Sequence, residues 1–430
     1  DLKNGAPAEP RRRRPPALYG PSDCLGVQIA ASPGDLHCKS PPLAAICASM
    51  ELTRSADLKA ATQKRSLFLF GPRQTGKSTV VRQQLPGARQ INLLESDTYL
   101  ALHRAPQRLR EWCTERGELI VIDEIQKLPQ LLDEVQLGIE ERKQRFVLTG
   151  SSARKLRAGG VNLLGGRARS LNFHPLSIHE LGKDFELARA LHHGLLPAIY
   201  LGDEPDQDLA AYVGAYLREE IAHEALTRNV PAFARFLEVA ALCSGEQINY
   251  AKIAADAQVA RTTVQEYFQI LRDTLIGWDL PVWQKTVKRK AVATPKFQFF
   301  DWGVVRQLRG LGRVKSPSPE FGHAFEAWIG HELKTWCDYR GQGADLCFWR
   351  SRTGFEVDFI VGGAVAVEAK ASANITERHL AGLAALKEEA LLARYIVVCQ
   401  ETRRRTVDGV EILPWREFAD ELWSDRLLRA

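Results

Sequence analysis

A chain of 430 residues is too long for one ordinary core, so roughly two to four domains are expected, and 45% apolar with 26% charged residues is a globular composition. The formal charge of +6 points only weakly to a polyanionic partner, because so small an excess is spread over a large surface. No apolar run approaches the roughly 18 residues of a membrane-spanning helix and no signal-peptide core opens the chain, so a cytoplasmic protein is expected, with its eight cysteines reduced.

Residues 1–49 hold eight of the 21 prolines, the run Arg11 to Arg14 and no periodic apolar pattern. Such a segment cannot bury enough surface to order itself, and a disordered tail is predicted, with a targeting or nucleic-acid-binding role as a lesser alternative. Met50, the only methionine, opens the first foldable stretch, so translation is expected to begin there.

Residues 50–225 read as a nucleotide-binding domain. "SLFLFGPRQTGKSTVV" sets a strand, Ser66 to Phe70, directly before Gly71, Pro72, Arg73, Gln74, Thr75, Gly76, Lys77, Ser78 and Thr79. This is the phosphate-binding loop in its required strand–loop–helix context: the glycines let backbone N–H groups close on the phosphates, Lys77 bridges the outer phosphates and Ser78 ligates Mg2+. A second apolar strand, "ELIVIDE", delivers Asp123 and Glu124 to the sheet edge where ligands bind. Asp123 is expected to hold the magnesium through water and Glu124 to orient or deprotonate the attacking water. "RQINLL" adds a strand and Thr98 to Glu115 a helix, and "RFVLTGSS" ends in a tip, Thr149 to Ser152, where a polar residue such as Ser151 can sense the γ-phosphate. A last strand runs around Leu171 to Phe173. Apolar strands alternating with helices predict a parallel, helix-covered α/β sheet. Arg167, just before that last strand, is the candidate finger for a neighbouring subunit's nucleotide, with Arg154 the second choice.

"LFGPRQTGKST", "VIDEIQKLP", "LTGSSARKL" and "LLGGRARSLNFHPLSIHEL", in this order and spacing, resemble the bacterial and archaeal AAA-type ATPases that carry a C-terminal domain of unknown function. The resemblance runs from Met50 nearly to the end of the chain. It implies ATP as the nucleotide and a ring or other homo-oligomer with nucleotide at the subunit interfaces.

Residues 226–312 read as a winged helix. "INYAKIAADAQ" and "ARTTVQEYFQILRDTLI" are two short helices around a turn near Gln258 to Arg261, with Ile253 and Ala254 inward on the first and Val264, Tyr267, Phe268 and Leu271 on one face of the second. Thr262 or Thr263 is expected to cap the second helix, leaving Arg261, Thr262, Thr263 and Gln265 at the end that meets bases in DNA. A hairpin then collects Lys285, Lys288, Arg289, Lys290 and Lys296 as a basic wing for phosphate contacts.

In residues 313–430 a helix, "FGHAFEAWIGHELKTW", precedes "DLCFWRSRTGFEVDFIVGGAVAVEAKAS", a further helix from Glu377 and the strand "ARYIVVC". This order resembles restriction-endonuclease-like folds, in which an acid on one strand, E-x-K on the next and a glutamate on the preceding helix form a nuclease centre. Asp358, Glu368, Lys370 and Glu326 match that set, with Glu332 the less favoured helical acid; Val357 stands where a proline often leads. Two carboxylates would hold a hard divalent cation and Lys370 would position its water. Register decides the matter: a two-residue turn at Gly362 and Gly363 sets Asp358 opposite Val367, whereas a three-residue loop, Gly362 to Ala364, sets it opposite Glu368. The resulting expectation is an ATPase acting on duplex or branched DNA with a nuclease-like domain. The alternative is an ATP-controlled signalling or scaffold protein whose C-terminal segments bind protein partners.

Overall fold

The computed structural model describes residues 52–152, 154, 156, 164–214, 229–341 and 343–429. The expected tail, Met50 and the boundary near 225 lie outside the described residues.

The first layer is a five-stranded parallel sheet formed by β1 (Ser66–Phe70), β2 (Arg89–Asn92), β3 (Leu119–Asp123), β4 (Arg145–Gly150) and β5 (Ala168–Asn172), in the order β2-β3-β4-β1-β5. Every residue of β1 is buried because the strand lies centrally: Phe68 and Phe70 join the core on one face, Leu67 and Leu69 that on the other. The helix expected over Thr98 to Glu115 is two, Ser96–Arg104 and Arg108–Trp112, because Pro106 cannot continue the ladder.

Helix α1 (Val230–Leu242), the short β6 (Glu246–Gln247), α2 (Tyr250–Ala257) and α3 (Arg261–Asp273) follow, then β7 (Gly277–Leu280) and β8 (Lys296–Phe299), with the strands in the order β6-β8-β7. Val264, Tyr267, Phe268 and Leu271 are buried on one face of α3 as their spacing predicts. The expected threonine cap is absent: Ala260 is the N-cap and Thr262 and Thr263 lie inside the first turn.

The long helix α4 (Pro319–Tyr339) leads into a six-stranded sheet of β9 (Leu346–Arg350), β10 (Glu356–Val361), β11 (Val365–Ala369), β12 (Arg394–Cys399), β13 (Arg405–Val407) and β14 (Val410–Pro414), ordered β13-β14-β12-β11-β10-β9. Helices α5 (Glu377–Lys387) and α6 (Trp415–Trp423) pack against it.

No break in packing marks the expected boundary at 312: one continuous apolar cluster runs from Leu176 through α1, α3 and α4 to Leu427. The connection between β7 and β8 is not a free wing either. It lies along β9, with Trp283 N donating to Phe348 O at 2.7 Å and Val292 N to Arg350 O at 2.9 Å. At its tip the amides of Val287, Lys288 and Arg289 all donate to the Glu389 carboxylate, Lys288 Nζ reaches Glu388 O at 2.6 Å and Arg289 Nη1 meets Glu388 Oε2 at 2.7 Å. Lys288 and Arg289, expected to contact DNA phosphates, are thus engaged within the chain, although Lys288, like Lys290, is exposed and Arg289 is half-buried. The α4 helix also ties the two sheets together: Glu332 Oε1 accepts from Ile178 N at 2.8 Å, Asp338 Oδ2 meets His174 Nε2 at 2.6 Å, and the Tyr339 hydroxyl accepts from His174 N at 2.9 Å.

Candidate functional site

The loop after β1 is shaped by two left-handed residues, Gln74 at φ +62° and Gly76 at φ +91°, which turn the chain back before the helix Lys77–Gln84 begins. Gly71 has no room for a side chain, since a Cβ there would lie 2.3 Å from Phe173 O. Thr75 Oγ1 donates to Pro72 O at 2.8 Å, and the buried Lys77 Nζ donates to Gly71 O at 2.7 Å and Pro72 O at 2.9 Å, so the lysine is held folded over its own loop. Arg54 braces the loop from behind, bonding Thr75 O at 2.6 Å and stacking on Phe173, with its centre 4.1 Å from the ring centroid.

Ser78 Oγ donates to Asp123 Oδ2 at 2.9 Å, so a hydroxyl and a carboxylate from two elements converge as a hard-oxygen pair that suits magnesium. Thr149, from β4, donates its hydroxyl to the other Asp123 oxygen and accepts from Glu124 N at 3.2 Å. Glu124 sits at φ +61°, and Gln126 Nε2 donates both to its carboxylate and to Ser151 Oγ. Asp123, Glu124, Ser78 and Ser151 therefore belong to one hydrogen-bonded group, while Lys77 is held on the loop beside it. Gln126 and Thr149 complete it; the polar threonine in the otherwise apolar "FVLTG" was the readable signal for one, and nothing local marked the other.

The two arginine candidates lie apart from this group. Arg167 precedes the start of β5, at the sheet edge opposite the phosphate loop, and its Nη2 pairs with Glu140 Oε1 at 2.7 Å. Arg154 and Ser152 instead touch the end of α3, through Asp273 Oδ2 at 3.4 Å and Asp273 O at 3.2 Å. At the other end of α3, Arg261, Thr262 and Gln265 are exposed and Thr263 is half-buried.

In the C-terminal sheet Val361 pairs with Val365, which is the three-residue loop, with Gly362 at φ +59° and Gly363 at φ +62°. The same register sets Asp358 opposite Glu368. A register shift between Val357 and Ile360 against β9 marks a bulge at Asp358, a device that re-aims a side chain. Asp358 Oδ2 accepts from Ala369 N at 2.9 Å, and Glu368 Oε2 from Asp358 N at 3.3 Å. Lys370 Nζ lies 2.6 Å from Glu368 Oε1 and 4.0 Å from Asp358 Oδ2.

Lys296 and Glu356 join from outside the expected set. Lys296, assigned from sequence to the basic tip, is instead 3% exposed on β8, with its Nζ 2.5 Å from Glu356 Oε1 and 3.5 Å from Glu326 Oε1. Glu332 is not at this centre; its carboxylate takes N–H donors from Ile178, Trp328 and Trp423.

Four carboxylates, Glu326, Glu356, Asp358 and Glu368, thus meet two lysines, with Arg350 reaching Glu356 from the rim at 3.5 Å. Burial, then the charge of Asp358, pushes Glu326 up to about 7 and Glu368 up to about 8. Burial pulls Lys370 and Lys296 down, but the surrounding acids outweigh it and both end raised. Fully ionised, the four carboxylates would carry more negative charge than the two lysines balance, which, together with burial, is why Glu326 and Glu368 hold their protons; a divalent cation held by Asp358, Glu368 and Glu326 would displace those protons. Among the described residues, the three groups whose ligand atoms already lie within 4.8 Å of one another are elsewhere: His192, His193 and Asp206, where Arg306 Nη2 bonds Asp206 Oδ1 at 2.6 Å.

Three family models match in succession. Residues 63–182 match an AAA domain, residues 184–315 a domain of unknown function (DUF8612) and residues 321–418 another (DUF4143). The chain therefore carries a AAA-type P-loop ATPase domain, and the second match takes in the helices from Leu187 onward that were expected to belong to it. The uncharacterized proteins Rv2008c of Mycobacterium tuberculosis and Mb2031c of Mycobacterium bovis are each 24% identical over 303 residues, 69% of this chain and 67% of theirs. Among solved structures, the Aeropyrum pernix ORC1 protein in complex with DNA is 17% identical with a TM-score of 0.23, over 57% of this chain and 86% of that one. The Pyrococcus horikoshii signal transduction ATPase with a tetratricopeptide repeat sensor is 14% identical with a TM-score of 0.22, over 66% and 46%. Both superpose only loosely. No described helix is long and apolar enough to cross a membrane.

Proposed function

We propose that this chain is a cytoplasmic, homo-oligomeric ATPase that uses nucleotide turnover at the Lys77 centre to act on DNA, and that its Asp358 centre hydrolyses phosphodiester bonds. The observation that carries the second part is the crowding of carboxyls in a buried cluster whose register sets Asp358 opposite Glu368, with Lys370 beside both. Magnesium or manganese, when bound there, supplies a Lewis acid and an acidified water. Lys370 then holds that water or the developing phosphate charge through its ammonium. At the first centre Lys77, now on its loop carbonyls, would reach the outer phosphates of ATP, Ser78 and Asp123 would hold magnesium, and Glu124, aimed by Gln126, would orient the attacking water. Arg167 serves the nucleotide of an adjacent subunit, since its own lies across the sheet.

The engagement of Lys288 and Arg289 in contacts with Glu388 and Glu389 favours a second reading, in which α3 and its surroundings receive a protein partner and the enzyme is a switch. One assay separates the two. ATP hydrolysis is measured with and without linear, forked and four-way DNA, scoring strand cleavage in magnesium or manganese, alongside Lys77→Ala and Asp358→Ala. DNA-stimulated turnover lost in the first variant and cleavage lost in the second are the expected results. Turnover indifferent to every DNA would leave the switch.

A further inference from the structure

Lys296 reaches the Asp358 centre from another sheet. It stands on β8, the middle strand of the three-stranded sheet, paired with Leu280 on one side and Gln247 on the other. The next residue, Phe297, packs edge-on against Phe268 of α3 with ring centroids 4.8 Å apart. The backbone of Lys296 is therefore fixed, and its side chain crosses to the acids of β10 and α4. There the ammonium lies 2.5 Å from Glu356 Oε1, 3.5 Å from Glu326 Oε1 and 5.2 Å from the centre of the Phe348 ring, whose face also attracts a cation. The charges of Glu326 and Asp358, as well as that of Glu356, hold it in place. Burying an ammonium is costly unless acceptors surround it, so these groups form a seat built for one positive charge.

Glu326 and Asp358 are also two of the three carboxylates expected to hold a divalent cation. A metal that draws on them must displace the ammonium or share their oxygens with it, and two cations converging on one carboxylate repel each other. A cavity of about 290 Å³ lined in part by Lys296, Glu326, Glu356 and Asp358 adjoins the seat, which gives an ion a way in and the flexible lysine chain space to withdraw.

We propose that Lys296 is a tethered competitor of the divalent cation: its ammonium occupies the Glu326 side of the Asp358 centre, and metal enters fully only as the side chain swings back onto Glu356 alone. The proposal rests on reading the Asp358 centre as a cation site. It adds a control that lies outside the six-stranded sheet, because Phe297 is wedged against Phe268 and whatever shifts α3 would also shift the lysine.

The test is calorimetric titration of the nucleotide-free full chain with manganese, in an Asp123→Asn background so that the phosphate-loop centre takes none. Lys296→Met keeps the alkyl chain and removes the charge, and should tighten manganese binding by about 10-fold, the worth of about one hydrogen bond to a charged group. Lys296→Gln should do the same, and melting curves in chelator report which of the two folds. Arg350→Met removes a charge that touches Glu356 from the rim without freeing Glu326, and should leave the affinity near that of wild type. In a Glu326→Gln background Lys296→Met should bring no gain, since the two act through one carboxylate. A gain that Arg350→Met reproduces, or that survives Glu326→Gln, would come from charge in general and overturns the proposal. Manganese bound by none of these chains sinks the cation reading itself, whereas manganese bound equally by wild type and a folded Lys296 variant spares that reading and sinks the competitor alone.

Discussion

Replacing Glu326 by glutamine should stabilise the cation-free protein at pH 8. Burial and the charge of Asp358 hold this carboxyl's proton up to about 7, against an ordinary value of 4.5. The folded state therefore keeps a proton that the unfolded chain has released, and stability falls as pH rises from 4.5 through 7. The full difference would amount to roughly 3 kcal/mol above pH 7, at about 1.4 kcal/mol for each factor of ten. About 24% of the side chain still meets solvent, which trims the expectation to about 2 kcal/mol. Lys296 keeps its 2.5 Å partner, Glu356, so the substitution leaves no orphaned ammonium. Thermal melts from pH 4.5 to 8.5 without nucleotide should show the two proteins together at the acid end and the variant several degrees higher at pH 8, and added manganese should raise the wild type more than the variant. Curves that stay parallel across the range, or an equal response to manganese, would refute the charge-excess argument.

Gln126→Ala frees the Glu124 carboxylate, and we expect ATP turnover to fall by about 10-fold or more with nucleotide affinity unchanged, read from steady-state kinetics beside equilibrium binding. Gly71→Ala puts a Cβ 2.3 Å from Phe173 O, and nucleotide binding should be lost together with a lowered melting temperature; retention of both would contradict the packing described for the loop. Arg167→Ala should leave ATP binding intact and reduce turnover by about 10³-fold. Mixing it with Lys77→Ala subunits should restore activity, because each supplies what the other lacks, and failure to do so would leave Arg167 as the surface partner of Glu140.

The parts of this architecture that depend on neighbours in sequence were legible in it. The strand before the phosphate loop and the buried face of α3 follow from local pattern, and so do the two registers open to the Gly362–Gly363 turn, between which only the structure decides. The parts that depend on distant partners were not. Lys288 and Arg289 looked like a solvated tip because Glu388 and Glu389, about a hundred residues later, carry no mark that they receive it. Lys296 is the instructive failure. In "PKFQFF" the polar Lys296 and Gln298 alternate with the buried Phe297 and Phe299, a period of two that assigns them to a strand rather than to a loop. Counting charges obscured that alternation.

The helix α4 carries Glu326 near its start and Asp338 and Tyr339 at its end, about 20 Å away at 1.5 Å per residue. Its far end is pinned to His174, the next residue after the Phe173 whose carbonyl presses on Gly71. An α-helix is stiff along its axis, so it would serve as a strut between the two candidate centres. Any displacement of the phosphate loop that moves Phe173 would arrive at Glu326 as a translation of the whole rod, and a cation drawn in around Glu326 would push back along the same line.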